Sequence, residues 1–374
     1  MSPPVSRAPL IDTLKGAACI AIIWHHLAFY GPMSDVAQPL FPGLMAWLYD
    51  HARMAVQVFL VLGGYLAASS LAPQGVARFD SASVQIGRRF VRLIIPLAAA
   101  LALAIVVAAL VRPWLDHPSV PGVPRWPQLL AHVLLLQDVV GEEALSAGVW
   151  YVAIDFQLFA GTVILLAAGR WALAKVPQAA QAQAMQALVA AGVAASLLWA
   201  NRQAELDAWG IYFFGAYGLG MLSFWAVRSP RPWLWWGLVA VLSALALAWD
   251  FRGRIAVAAS TALALGVLLR QLPQWPAGRW ATGLQQIGRM SYSVFLVHFP
   301  VCLSVNALFA QCWPTEAMPN ALGMVLAFLL SLQVGRLMYR WVELPTPSGL
   351  LALRWQAGMV GLGLLVLRVQ QAVL

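Results

Sequence analysis

The sequence predicts an all-α fold, a polytopic helical bundle that crosses a membrane about ten or eleven times and carries no soluble domain. Three observations lead there. Hydrophobic residues make up 61% of the 374 positions and charged residues only 10%, against about a quarter charged in a soluble domain. Mean hydropathy is +0.76. Apolar stretches of about 20 residues, enough to span a hydrocarbon core, recur along the whole chain.

In order, these stretches lie near 10–31, 52–72, 93–112, 147–169, 183–201, 208–227, 233–249, 254–270, 288–311, 319–341 and 350–369. The seventh and eighth are short enough to tilt or re-enter. Residues 128–140 are too few to span and read as an interfacial helix on the 113–146 loop. Arg7 precedes the first stretch, but Asp12 and Lys15 interrupt its start and no small-residue cleavage site follows, so a retained helix is expected rather than a signal peptide. Residues 1–349 are read as a core of about ten spans and 350–374 as an additional C-terminal span.

Net charge is +9, which in a soluble protein would suggest nucleic acid. In a membrane chain, basic residues act as topology signals and headgroup anchors, so lipids and not nucleic acid are the expected contacts. With the N-terminus in the cytoplasm and the spans alternating, 16 of the 23 Lys and Arg residues fall inside, among them Arg7, and 7 outside. That bias obeys the positive-inside rule. Cys19, Cys302 and Cys312 show no CxxC or Cys/His metal spacing, and no metal is expected.

Ionisable side chains are costly in hydrocarbon, so those retained there point to use. The first stretch holds Asp12-Thr-Leu-Lys15-Gly16 and the pair His25-His26. Lys15 and His26 are eleven positions apart, about three turns, so they share a helix face roughly 16 Å apart. His25 lies about 80° round the helix from that line. Such a pair suits two ends of a long ligand. Arg88-Arg89-Phe-Val-Arg92 opens the third stretch; three guanidiniums there suit a polyphosphate or, equally, lipid phosphates. Gly63-Gly64-Tyr65 places two glycines in the second stretch, where a ligand or another backbone can approach. Trp150-Tyr151-Val-Ala-Ile-Asp155 buries a carboxylate that needs a partner, with Lys15, a histidine or an arginine as candidates. Ser291, Tyr292 and His298 give the ninth stretch hydrogen-bonding capacity, and Glu343-Leu-Pro345 ends the tenth, where Glu343 caps or pairs with Arg340.

The order of these motifs resembles the membrane acyltransferase-3 family over roughly 10–345. Within it the chain is similar to stand-alone exopolysaccharide acetyltransferases of the xanthan type. The resemblance implies a bacterial inner-membrane O-acetyltransferase that moves an acetyl group from cytoplasmic acetyl-CoA to a sugar hydroxyl of a surface glycan or lipid-linked oligosaccharide. Polysaccharide assembly proteins are further expected partners. By motif, Lys15 takes the place of a basic residue that is commonly arginine, His26 that of the essential histidine, and Arg88 and Arg92 match the cytoplasmic arginine cluster. Gly63 stands where many members have serine, and Asp155 where many have glutamate.

The expected site follows. Lys15, Arg88, Arg89 and Arg92 hold the phosphates of acetyl-CoA. His26 is a general base or carries the acetyl group itself. Asp155 or Asp12 orients His26 or balances charge, although Asp12 lies nearly four turns away and suits pairing with Lys15 or capping. His25, Tyr65, Trp150, Ser291, Tyr292 and His298 line the substrate cavity. The rival readings are a transporter or flippase, which inverted repeats would favour, and a non-catalytic partner of a polysaccharide synthase.

Overall fold

The computed structural model describes residues 9–271 and 278–373, and among them no strand occurs. Arg7, counted above among the inward cations, lies outside the described residues. The described residues form fifteen α-helices: α1 (Pro9–Phe29), α2 (Pro32–Ala37), α3 (Pro42–Asp50), α4 (Ala55–Leu71), α5 (Ala82–Val111), α6 (Trp126–Val133), α7 (Val149–Ala172), α8 (Gln178–Leu198), α9 (Gly210–Arg228), α10 (Pro232–Trp249), α11 (Gly253–Gln271), α12 (Arg279–Arg289), α13 (Ser291–Cys312), α14 (Ala317–Met338) and α15 (Gly349–Val373). Ten described stretches are long and apolar enough to cross a membrane. They correspond to the second through eleventh stretches read from the sequence. The first, α1, has 21 residues, about 31 Å of helix, but Asp12, Lys15, His25 and His26 dilute its hydropathy.

Two bounds read above shift, and the 32–50 connection has structure of its own. Residues 32–50 fold as α2, a 3-10 turn at Gln38–Leu40 and α3, each with proline in its first turn, where the missing N–H costs nothing. The interfacial helix is shorter than 128–140: α6 stops at Val133, and Leu135 turns the chain with a φ of 58°. The ninth span begins at Ser291, preceded by the separate surface helix α12.

The chain forms two compact units. One comprises the described residues up to Leu14, with Met54–Arg89 and Ile154–Ala281. Its centre is α9, whose apolar window is 83% buried against 17% for α10. Its contact with α4 is backbone to backbone: a Cβ on Gly64 would overlap the Tyr217 carbonyl, and one on Gly220 the Val61 carbonyl. Small residues permit that approach.

The other unit comprises Lys15–Arg53, Phe90–Ala153 and the chain from Thr282. Here α1 and α13 run parallel in a constant register. The Cys19 thiol donates to the Ser291 carbonyl at 3.8 Å, His26 meets His298, and the Cys302 thiol donates to the Tyr30 carbonyl at 3.9 Å, each pair 272 positions apart. As first and ninth in an alternating series of spans, two such helices must point the same way. Both ends of the pair are pinned. A Cβ on Gly16 would overlap the Leu284 carbonyl of α12. At the far end Asn306 donates to the carbonyls of Tyr30 (3.3 Å) and Cys302 (3.0 Å) and accepts from Met33 N–H (3.0 Å). Gly31 turns there with a φ of 107° against the Asn306 side chain.

Candidate active site

The parallel register sets His26 against His298. His26 Nδ1 and His298 Nε2 are 2.5 Å apart, and the rings stack with centroids 4.7 Å apart and 19° between planes. His298 Nδ1 lies 2.5 Å from the Phe295 carbonyl. A carbonyl only accepts, so His298 carries its proton on Nδ1 and its Nε2 is a lone pair. His26 must then donate from Nδ1, which leaves its own Nε2 as an unprotonated base. The bond to Phe295 closes within one turn of α13, where the ring of His298 reaches the carbonyl three residues back on its own helix. His298 is buried, whereas His26 is half-buried and keeps an accessible face.

His25 points elsewhere, as its angular offset requires. Its Nδ1 donates to the Leu48 carbonyl of α3 at 3.0 Å. Around the two histidines the rings of Tyr30, Phe29 and Tyr49 follow one another.

At the other end of α1, Lys15 and Arg92 lie close enough to act electrostatically on Glu343. The Ser293 hydroxyl donates to Glu343 Oε2 at 2.5 Å. Glu343 is held there by the π-helical turn Tyr339–Glu343 that closes α14. The carboxylate thus accepts from Ser293 and lies in the field of Lys15 and Arg92, where the sequence suggested a cap or Arg340. Neither Ser293 nor Glu343 was assigned to the site from the sequence. The signal available was the Glu-Leu-Pro stop beneath the span.

In the other unit, Asp155 finds an arginine among its three candidate partners. Arg89 Nη2 and Asp155 Oδ2 are 2.5 Å apart, with the guanidinium 5.3 Å from the Phe159 ring centroid. So Arg89, expected on phosphate, is engaged by a carboxylate, and Asp155 is its charge partner. A Cβ on Gly63 would lie 3.3 Å from the Tyr217 ring and 3.8 Å from Asp155 Oδ1, so a larger residue there needs the ring to give by a few tenths of an ångström. Tyr65 is buried edge-on to Phe224 at 5.2 Å. Asp12 is buried in the first turn of α1, and Arg88 is exposed on α5.

The remaining cavity residues have structural contacts. The Tyr292 hydroxyl donates to the Leu93 carbonyl at 2.8 Å. Ser291 is buried, with its carbonyl facing Cys19. Trp150 packs edge-on to Tyr151 at 6.2 Å, and Tyr151 in turn edge-on to the Phe295 ring at 5.7 Å. Among the described residues no group of three or more His, Cys, Asp or Glu side chains is placed to hold a metal ion.

A family model described as an acyltransferase domain, Acyl_transf_3, matches residues 9–340. No curated protein matches the chain. No solved structure matches it either.

Proposed function

This chain belongs to the acyltransferase-3 family, and we propose that it is the membrane O-acetyltransferase that moves an acetyl group from cytoplasmic acetyl-CoA to a sugar hydroxyl of an exopolysaccharide or other surface glycan. The observation that carries the reading is the hydrogen-bond chain His26–His298–Phe295, which leaves Nε2 of His26 to act as the base.

In this reaction His26 Nε2 takes the proton of the sugar hydroxyl as its oxygen bonds to the thioester carbonyl carbon. The carbon–sulfur bond breaks, and His26 returns the proton to the leaving thiolate. The products are an acetate ester and free thiol, so atoms and charge balance. His298 holds the ring and shares the positive charge while His26 is protonated. Lys15 and Arg92 bind the donor's phosphates, since guanidinium and ammonium groups are the natural partners of phosphate oxygens. The roughly 16 Å from Lys15 to His26 along α1 is the run for the donor's flexible arm. The excess of basic residues on one side supports a cytoplasmic Lys15 end, and the location that goes with this reading is the bacterial inner membrane. The family match ends at residue 340, and α15 is read as an added span beside the catalytic core.

The test uses purified protein in lipid nanodiscs with labelled acetyl-CoA. His26→Ala should abolish transfer and acetyl-CoA hydrolysis with insertion intact, and His25→Ala should cost less. Normal glycan acetylation by His26→Ala protein would remove His26 from the mechanism.

A further inference from the structure

A continuous series of aromatic rings starts at His26. Tyr30 stands edge-on to it at 5.4 Å, and Phe29 edge-on to Tyr30 at 4.8 Å. Tyr49 of α3 stacks on Phe29 with centroids 4.9 Å apart and 25° between planes. The series changes character along its length. His26 is half-buried, while Phe29 and Tyr49 are 43% and 47% exposed. Phe29 is two ring contacts from the base and Tyr49 three, and their stacked faces are the open end of the series.

The stack is also held in place. His25 donates from Nδ1 to the carbonyl of Leu48, the residue before Tyr49, at 3.0 Å. It also packs against Phe29 at 5.6 Å. One imidazole therefore fixes both partners, the end of α1 directly and α3 through its backbone.

We propose that Phe29 and Tyr49 form the platform on which the acceptor's pyranose ring rests while its hydroxyl faces His26, and that His25 is the positioning residue that holds the platform together. The inference rests on the acetyltransferase reading above. Its chemistry is that of the exposed groups. Aromatic faces cover the apolar C–H face of a pyranose, and the tyrosine hydroxyl offers a polar tip at the rim. Sites of this kind combine apolar rings with a few placed polar groups. A plain aliphatic alcohol has no ring face to cover and gains nothing from the pair.

The experiment compares octyl β-D-glucoside with decanol as acceptors, using full-length protein in nanodiscs and acetyl-CoA as donor. Wild type should prefer the glucoside. Phe29→Leu and Tyr49→Leu keep apolar bulk against lipid but lose the flat ring. They should raise KM for the glucoside about tenfold while leaving acetyl-CoA affinity and hydrolysis unchanged. Phe29→Tyr should behave as wild type. His25→Leu should reproduce the Tyr49→Leu effect, and His25→Asn, whose side-chain N–H can reach the Leu48 carbonyl, should restore most of it. Unchanged KM in both leucine variants would assign the rings to the lipid interface and overturn the platform. So would equal use of glucoside and decanol by wild type, or hydrolysis of acetyl-CoA with no transfer to the glucoside. Failure of wild type to hydrolyse or transfer acetyl at all would instead sink the acetyltransferase reading. Unchanged acetyl-CoA affinity in each variant shows that it has folded.

Discussion

His26 and His298 occupy the same level of two parallel helices although 272 residues separate them. Cys19 with Ser291 and Tyr30 with Cys302 repeat that offset. A shift of either helix by one residue would rotate one imidazole about 100° away from the other. The base is therefore a property of helix register as much as of either side chain.

The dyad makes a direct prediction. His298→Leu removes the acceptor for the His26 Nδ1 proton and frees the tautomer. Transfer should fall about 100-fold or more in kcat, within the range for general base catalysis, with donor affinity unchanged by calorimetry. Equal loss of binding and turnover would show that His298 only supports folding.

The cation end predicts opposite signs for neighbours. Lys15→Ala should weaken acetyl-CoA binding about tenfold, or ~1.4 kcal/mol. Glu343→Gln keeps an oxygen for the Ser293 hydroxyl but removes a negative charge beside Lys15 and Arg92. It should bind the donor more tightly, and both effects should shrink in high salt.

The Arg89–Asp155 pair separates charge balance from chemistry. Asp155→Asn leaves a half-buried guanidinium without its anion and should lower the melting temperature. If Asp155 only balances Arg89, the double variant Arg89→Gln with Asp155→Asn should recover stability and turnover relative to Asp155→Asn alone. Recovered stability without turnover would give the carboxylate a direct part in the reaction.

Glycine positions offer a matched pair. Gly16→Ala forces the Leu284 backbone to move, and overpacking of this kind costs about 1–3 kcal/mol. Gly87→Ala on α5 meets nothing within 4 Å. It should be neutral or stabilising, since alanine is the better helix former. Thermal melts of the two variants in one detergent make the comparison.

His132 on α6 should make the protein acid-sensitive. Its Nε2 accepts the Leu145 N–H at 3.1 Å, so its Nδ1 proton goes to the Gln128 carbonyl at 2.8 Å and the ring is locked neutral. Burial pushes its pKa down to about 4 from 6.5. Between those values the unfolded chain binds more protons, so stability rises with pH there. The contribution is complete above about 6.5 and lost as pH falls to about 4, at most about 3 kcal/mol. The melting temperature of wild type should drop over that window more steeply than that of His132→Asn. Parallel curves would exclude His132 as the cause.

Apolar runs of spanning length made the membrane bundle readable without coordinates, because hydrocarbon admits a lone segment only as a helix. The eleven-residue interval placed Lys15 and His26 on one face for the same local reason, the fixed pitch of a helix. Side chains that act through a distant partner were not readable in this way. The partner of His26, the meeting of Glu343 with Ser293, the engagement of Arg89 by Asp155 and the tie from His25 to Leu48 all depend on how helices far apart in the chain settle against one another. That settling is decided by close contacts such as Gly16 on Leu284 and Gly31 on Asn306. No periodicity within one segment encodes such contacts, because their energy arises only when two helices pack.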